Sequence, residues 1–124
     1  MMRMPSPASI EAVAERNAGY HRGAEMSNIS IVTPWHNNPE LITDYEKAVK
    51  GAQVIIVDNA SDSITADGLR SMVERLGNDS HYVRNEENVG YSKANNQGLA
   101  LANGEIVVFL NSDVVATGDW LSMA

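Results

Sequence analysis

The sequence predicts an α/β fold in which a mostly parallel sheet is flanked by helices. Dense apolar segments, of which residues 54–57 and 106–110 are the clearest, have the composition of strands buried on both faces of a parallel sheet. Segments with helical spacing of apolar residues lie between them, and the connections are short. This alternation is typical of right-handed β-α-β units.

The first elements follow one another from residue 29 onward. Residues 29–33 predict a strand, and we expect Pro34 to end it because proline has no amide hydrogen for the ladder. Apolar residues at helical spacing predict a helix over residues 40–50. Residues 54–57 predict the second strand, and residues 58–62 predict the polar loop that leaves it.

The second half continues the same alternation. The remaining predicted elements are a helix from Thr65 or Ala66 to Gly77, a strand over residues 81–83, a helix over residues 90–102 and a strand over residues 105–110. Together these elements predict one domain over residues 27–124, which is long enough for a buried core.

Residues 1–26 differ from this pattern. They contain no apolar run that resembles a secretion signal, and we expect a poorly ordered leader. Two alternatives stay open, a short amphipathic helix over residues 10–20 and an arm that binds a partner.

Composition excludes several classes of function. The formal net charge is -7, and a surface of that sign repels nucleic acid, whose phosphates must be neutralised by Lys and Arg. The chain has no cysteine, so disulfides and thiolate metal sites are excluded. No apolar run is long enough to predict a transmembrane segment. A ligand that carries phosphate remains compatible with this charge if a divalent cation accompanies it.

Polar residues follow three of the predicted strands, at residues 33–37, 58–61 and 111–113. Ligands of open α/β sheets bind beyond the carboxyl ends of the strands, so these segments predict one shared crevice. Asp113 offers hard oxygen ligands without nearby Cys or His, which suits Mg²⁺ or Mn²⁺. For Asp58 two interpretations stay open, a hydrogen bond to a ligand or a cap on its own turn.

The segment before the third helix adds a second candidate wall. Asn88 and Gly90 lead into a helix whose N-terminus could attract an anion, although they could equally serve only to shape the turn. Asn95 and Asn96 lie inside that helix, where Asn is unfavourable, so we expect at least one to face a ligand or a neighbouring loop. Trp35 and His36 could line the same crevice.

Four segments in order resemble the nucleotide-binding half of family 2 glycosyltransferases, which have the Rossmann-like GT-A fold. They are residues 29–37, the segment VIIVDNASD, the segment NVGYSKANNQG, and residues 102–105 followed by IVVFLNSD. The resemblance extends from about Ser27 to Leu121.

This resemblance implies site residues and ligands. The residues implied to bind a nucleotide-diphosphate sugar are Thr33, Pro34, Asp58, Asn88, Gly90, Asn96 and Asn111. Asp113 is implied to hold Mg²⁺ or Mn²⁺ as the last residue of the family's Asp-any-Asp motif. That motif begins here with Asn111, which is similar to the rhamnosyltransferase-like branch and favours a UDP- or dTDP-linked sugar.

The resemblance also implies inverting transfer of the sugar to an acceptor hydroxyl, in a cytoplasmic location or at the inner face of the membrane. Family members continue into an acceptor half with an Asp or Glu general base, so we expect a truncated chain that contains the donor half. The acceptor, a saccharide or a lipid-linked molecule, is not identified. The alternatives are a non-catalytic nucleotide-sugar-binding module, an inactive gene product, and a regulatory domain whose acids only form turns. An exposed sheet edge predicts self-association.

Overall fold

The computed structural model describes residues 10–15 and 28–114. Its strands are β1 (Ile10–Glu15), β2 (Ile29–Trp35), β3 (Gln53–Asn59), β4 (His81–Asn85) and β5 (Ile106–Leu110). Its helices are α1 (Ile42–Val49), α2 (Ser63–Leu76) and α3 (Tyr91–Leu99), and a 3₁₀ turn over Pro39–Leu41 precedes α1. In this part of the chain no helix is long and apolar enough to span a membrane.

The strands form one sheet in the order β1-β5-β2-β3-β4. Strand β2 pairs in parallel with β3 and with β5, and β3 pairs in parallel with β4. The prediction of a mostly parallel sheet flanked by helices is therefore confirmed. Because β2 to β5 run in the same direction, their carboxyl ends meet at one edge of the sheet.

Strand β1 differs from the sequence-based expectation. It pairs antiparallel with β5, so the alternative of a short helix over residues 10–20 is wrong for Ile10–Glu15. A short isolated helix is marginally stable in water, whereas pairing along β5 supplies the segment with ladder hydrogen bonds. Strand β5 thus has a neighbour on both sides. The other residues of the expected leader lie outside the described residues, and the separate leader stays a prediction.

Pro34 does not end β2. The strand continues through Pro34 and Trp35, which pair with Val57 and Asp58 of β3. Pairing with β5 stops earlier, at Val32. The proline therefore lies where β2 has one neighbour, and a missing amide hydrogen is tolerated at such an edge position.

Two apolar layers cover the sheet, and β2 alternates between them. Ile31 packs with α1 and α2 in one cluster, which includes Tyr45 and Leu69. Its neighbour Val32 packs in the other cluster with Ala94 of α3. Successive side chains of a strand point to opposite faces, so a strand covered on both faces needs apolar residues at nearly every position. The dense runs in the sequence reflect this burial.

Candidate ligand site at the carboxyl edge of the sheet

An open cleft of about 200 Å³ lies at the carboxyl ends of β2 and β3, facing the start of α3. The residues that line it are Pro34, Trp35, His36, Asn59, Asn88 and Tyr91. They come from the end of β2, the end of β3, the β4–α3 loop and the first turn of α3. The cleft therefore lies where ligands bind in open α/β sheets.

Of the residues predicted to bind a nucleotide sugar, Pro34 and Asn88 line this cleft. Asn88 Oδ1 accepts a hydrogen bond of 2.9 Å from the amide of Gly90. Gly90 precedes α3 with a φ of 89°, in the left-handed region that favours glycine. Asn59 Nδ2 also donates to Gly90 O at 3.4 Å, at the border of the cleft. Asn96 lies further along α3 with an exposed side chain, and it does not line the cleft.

Thr33 lies on the face of the sheet that α1 covers. Its hydroxyl lies 2.6 Å from the hydroxyl of Tyr45, and both residues are fully buried. Burial raises the pKa of Tyr45, and the hydrogen bond with Thr33 opposes that effect. Tyr45 therefore stays protonated, and this pair fixes α1 against β2. The Thr33 side chain does not line the cleft.

Asp58 is fully buried and already has protein partners at both carboxylate oxygens. Oδ1 accepts from the amide of Ser61 at 3.0 Å, which is the turn cap that the sequence left open. Oδ2 accepts from the Tyr82 hydroxyl at 2.5 Å and from Arg84 Nη1 at 3.1 Å. Burial raises the pKa of Tyr82, and the hydrogen bond to Asp58 adds to it, so Tyr82 remains a donor. This carboxylate joins β3 to β4.

A chain of hydrogen bonds ties the loop after β2 to the loop after β3. The backbone amide of Asn37 donates to Ser61 Oγ at 2.7 Å. Asn37 Oδ1 accepts from the amide of Asp62 at 2.9 Å. The other amide atom of the same side chain, Nδ2, therefore donates to His36 Nε2, at 3.2 Å. Asp62 in turn caps α2 by accepting from the Thr65 amide at 2.8 Å.

The tautomer of His36 follows from its second ring nitrogen. Nδ1 lies 2.6 Å from the main-chain oxygen of Asn59. A carbonyl oxygen only accepts hydrogen bonds, so Nδ1 carries the hydrogen. Nε2 is then an acceptor in the neutral ring, which agrees with the bond from Asn37 Nδ2.

A network of side-chain amides, which the sequence analysis did not identify, holds α3 beside the cleft. Asn59 is almost fully buried, and its Oδ1 accepts from Asn85 Nδ2 at 2.9 Å. Asn85 and Gln97 exchange two further bonds of 2.8 and 2.9 Å, which connect β4 to α3. Asn59 follows Asp58 at the end of β3, and this position at a strand end is the feature of the sequence that could have identified it.

Asn111 and Asp113 follow β5, and Asn111 is connected to the cleft through Tyr91. Asn111 Oδ1 accepts a bond of 3.2 Å from the hydroxyl of Tyr91, and Asp113 is exposed. The described residues contain no group of three or more His, Asp or Glu that could hold a metal ion. One carboxylate and one amide oxygen are a sparse but suitable donor set for Mg²⁺ or Mn²⁺, since such ions are often bound by one or two carboxylates with substrate phosphates and water. The residues therefore fit a cation that a phosphorylated ligand completes.

Comparison of sequences gives a matching family model and several relatives. The family model described as glycosyl transferase family 2 matches residues 30–124. TuaG of Bacillus subtilis (strain 168), whose name provisionally assigns it as a glycosyltransferase of teichuronic acid biosynthesis, is 36% identical over 90 residues. That alignment covers 68% of this chain and 35% of TuaG. YfnE, an uncharacterized glycosyltransferase of the same strain, is 32% identical over 98 residues, covering 73% of this chain and 24% of YfnE.

Solved structures agree with the sequence relatives. The mannosyltransferase PcManGT from Pyrobaculum calidifontis, in complex with GDP-Man and Mn²⁺, is similar with a TM-score of 0.58 and 26% identity. The similarity covers 77% of this chain and 31% of PcManGT. TarS 1-349 of S. aureus gives the same TM-score of 0.58 and 26% identity, covering 69% of this chain and 27% of TarS. The chain thus spans about a third or less of the length of these proteins. The matched residues and the GT-A-type sheet place the chain in glycosyltransferase family 2.

Proposed function

We propose that the chain binds a nucleotide-diphosphate sugar in the cleft beside α3, as the donor site for inverting transfer of the sugar to an acceptor hydroxyl. The observation that carries this proposal is the position of the cleft, at the carboxyl ends of parallel strands in a family 2 chain. PcManGT, a structural neighbour, binds GDP-Man and Mn²⁺, which supports this class of ligand. Asn111 at the start of the metal motif favours a UDP- or dTDP-linked donor.

The proposed binding residues differ in how directly they can meet a ligand. Pro34 and Asn88 line the cleft, and Gly90 lies at its border. Thr33 and Asp58 remain proposed contacts, but each is engaged within the protein. A ligand would have to exchange one of those hydrogen bonds. Without that exchange the two residues contribute indirectly, because Thr33 holds Tyr45 of α1 against β2 and Asp58 joins β3 to β4.

We further propose that Asp113, with Asn111, holds a divalent cation against the diphosphate. Such a cation, when bound, neutralises the charge that develops on the leaving diphosphate. The chain's own part is to offer the exposed carboxylate of Asp113 and the amide oxygen of Asn111, which accepts a hydrogen bond from the cleft residue Tyr91. The binding assay compares the affinity for the nucleotide in Mg²⁺ with that in Mn²⁺.

Calorimetric titration tests this proposal directly. UDP, dTDP and GDP are titrated with Mn²⁺, with Mg²⁺ and with neither, into the wild type and into Asp113→Ala. Asp44→Ala is the matched control, because Asp44 is exposed on α1, away from the cleft. We expect metal-dependent binding that Asp113→Ala weakens at least about tenfold, which corresponds to about 1.4 kcal/mol. Equal binding by Asp113→Ala and wild type would overturn the metal assignment, and no nucleotide binding would overturn the proposed function.

Release of sugar separates a transferase from a binding module. None of the six side chains that line the cleft is a carboxylate. Transfer to a hydroxyl requires a base that takes up the acceptor's proton. We therefore expect this chain to bind the donor without transferring or hydrolysing it. Turnover of a labelled UDP-sugar above the rate in buffer would contradict that expectation.

A further inference from the structure

We propose that Asn103 and Gly104 form a deamidation site whose reaction the fold suppresses, and that Ser30 is the residue that suppresses it. The two residues are the only Asn-Gly pair in the sequence. Asparagine loses its side-chain amide fastest before glycine, because glycine has no side chain to shield its backbone nitrogen. The pair lies between α3 and β5, at the amino ends of the strands and away from the cleft, so this inference does not depend on the proposed function.

Deamidation at this site begins with attack of the Gly104 nitrogen on Cγ of Asn103. A base in the solvent removes the hydrogen of that nitrogen, and the new N–C bond closes a cyclic succinimide. The bond from Cγ to Nδ2 breaks, and the departing group takes up a proton and leaves as ammonia. Water then opens the ring at either carbonyl group, which gives aspartate or isoaspartate. The first step therefore requires that solvent reach the amide hydrogen of Gly104.

That amide hydrogen is bound inside the protein. The Gly104 amide donates a hydrogen bond of 2.8 Å to Oγ of Ser30, on β2. Ser30 is fully buried, and Gly104 is buried as well. Because both partners are covered, a base in the solvent reaches the nitrogen only when the loop opens locally. The hydrogen bond to Ser30 also holds the nitrogen in its place beside β2.

Gln53, on β3, keeps the Ser30 hydroxyl in the accepting role. Its Nε2 donates to the main-chain oxygen of Asp79 at 2.9 Å, which fixes the orientation of the side-chain amide. Its Oε1 accepts from the Ser30 hydroxyl at 2.5 Å and from the Asn103 amide at 2.9 Å. The hydrogen of the Ser30 hydroxyl is therefore committed to Gln53, and its lone pairs are left for the Gly104 amide.

The packing of this loop explains why glycine follows Asn103. A Cβ atom on Gly104 would lie 2.7 Å from Asn28 O and from Ser30 N, so a larger residue would displace the backbone. The exposed side chain of Asn103 donates from Nδ2 to Asp79 Oδ2 at 2.9 Å. Deamidation would put a carboxylate opposite this carboxylate, and like charges repel. We therefore expect the deamidated chain to be less stable.

The test is peptide mass spectrometry during incubation at mildly alkaline pH, with fragmentation that assigns the loss of ammonia to Asn103. Ser30→Ala removes the acceptor of the Gly104 amide. Ser80→Ala is the matched control, because the Ser80 hydroxyl also accepts from a backbone amide, that of Val54, at 2.9 Å. Wild type unfolded in urea gives the rate without the fold, and the urea midpoint of each variant shows whether it is folded.

We expect Asn103 in folded wild type to react at least about tenfold more slowly than in the unfolded chain, because the reaction waits for local opening. Folded Ser30→Ala should react about tenfold faster than folded wild type, since a buried amide without an acceptor favours the open loop. Ser80→Ala should stay within about threefold of the wild-type rate. Amide hydrogen exchange at Gly104 should likewise be at least about tenfold slower in folded than in unfolded wild type.

Equal rates at Asn103 in folded and unfolded wild type would overturn the inference, as would an unchanged rate in folded Ser30→Ala. An equal acceleration in Ser80→Ala would assign the protection to general stability and would also overturn it. If Ser30→Ala does not fold, hydrogen exchange in the wild type decides, and unprotected exchange at Gly104 would refute the role of Ser30. None of these measurements uses a nucleotide, so their failure leaves the proposed function untouched.

Discussion

Replacement of Gly98 by Ala tests how closely α3 approaches the sheet. A Cβ atom at this position would lie 2.3 Å from Val32 Cγ1 and 3.3 Å from Val57 Cγ2. Carbon atoms in contact prefer about 3.5–4 Å, so α3 or Val32 would have to move by roughly 1 Å. Overpacking of this kind costs about 1–3 kcal/mol, and the better helix propensity of Ala returns at most about 1 kcal/mol.

We therefore expect Gly98→Ala to lower the free energy of unfolding by about 1–2 kcal/mol. In a urea titration followed by circular dichroism this shifts the midpoint down by about 0.5–1 M for a domain of this size. Lys93→Ala is the control, because Lys93 is exposed on the same helix. The double variant with Val32→Ala should be less destabilised than the sum of the single variants, since removal of Cγ1 relieves the contact. An unchanged or higher midpoint in Gly98→Ala would refute this account of α3 packing.

Two further predictions concern charged groups outside the cleft. Asp58→Asn should lower the free energy of unfolding by about 2–3 kcal/mol, because it removes the buried charge that faces Arg84. A urea midpoint within about 0.2 M of the wild-type midpoint would contradict the role given to this carboxylate. Arg75 donates two hydrogen bonds of 2.8 and 3.1 Å to Glu46 and lowers the pKa of Glu46 in the folded protein. The pair therefore stabilises the fold fully above the unfolded pKa of Glu, about 4.3, and this stabilisation is lost as the pH falls through the lower pKa of the folded state. Glu46→Gln should accordingly have a lower urea midpoint than wild type at neutral pH and the same midpoint as wild type at about pH 2. A difference between the two midpoints that grows toward acidic pH would contradict this sign.

The parallel sheet could be predicted from the sequence because its strands are covered on both faces. Burial of alternate residues in two different clusters, such as Ile31 and Val32, leaves a continuous apolar segment that is easily recognised. Strand β1 could not be predicted in this way. Its pairing depends on β5, which lies far away in the sequence, and local periodicity contains no information about such a partner.

The site was predictable in position more than in detail. The polar strand ends indicated the carboxyl edge, where the structure has a cleft that Pro34 and Asn88 line. Local sequence could not show which face of a strand a polar residue occupies when β2 is covered on both sides. Thr33 therefore turned out to pair with Tyr45 in the core. Tyr91 was missed as a lining residue because its place depends on how α3 packs.

The central claim is that the cleft beside α3 receives a nucleotide-diphosphate sugar together with a divalent cation near Asp113. Amide NMR spectra recorded during titration with UDP-glucose and Mg²⁺, and then with Mn²⁺ in place of Mg²⁺, test it most directly. The account predicts that the signals of His36, Asn88 and Tyr91 shift, and that Mn²⁺ broadens those closest to Asp113. The signals of Asp79 and Asn103, which bond to each other outside the cleft, should stay unchanged. Shifts confined to these two residues, or broadening that spares Asp113, would contradict the account.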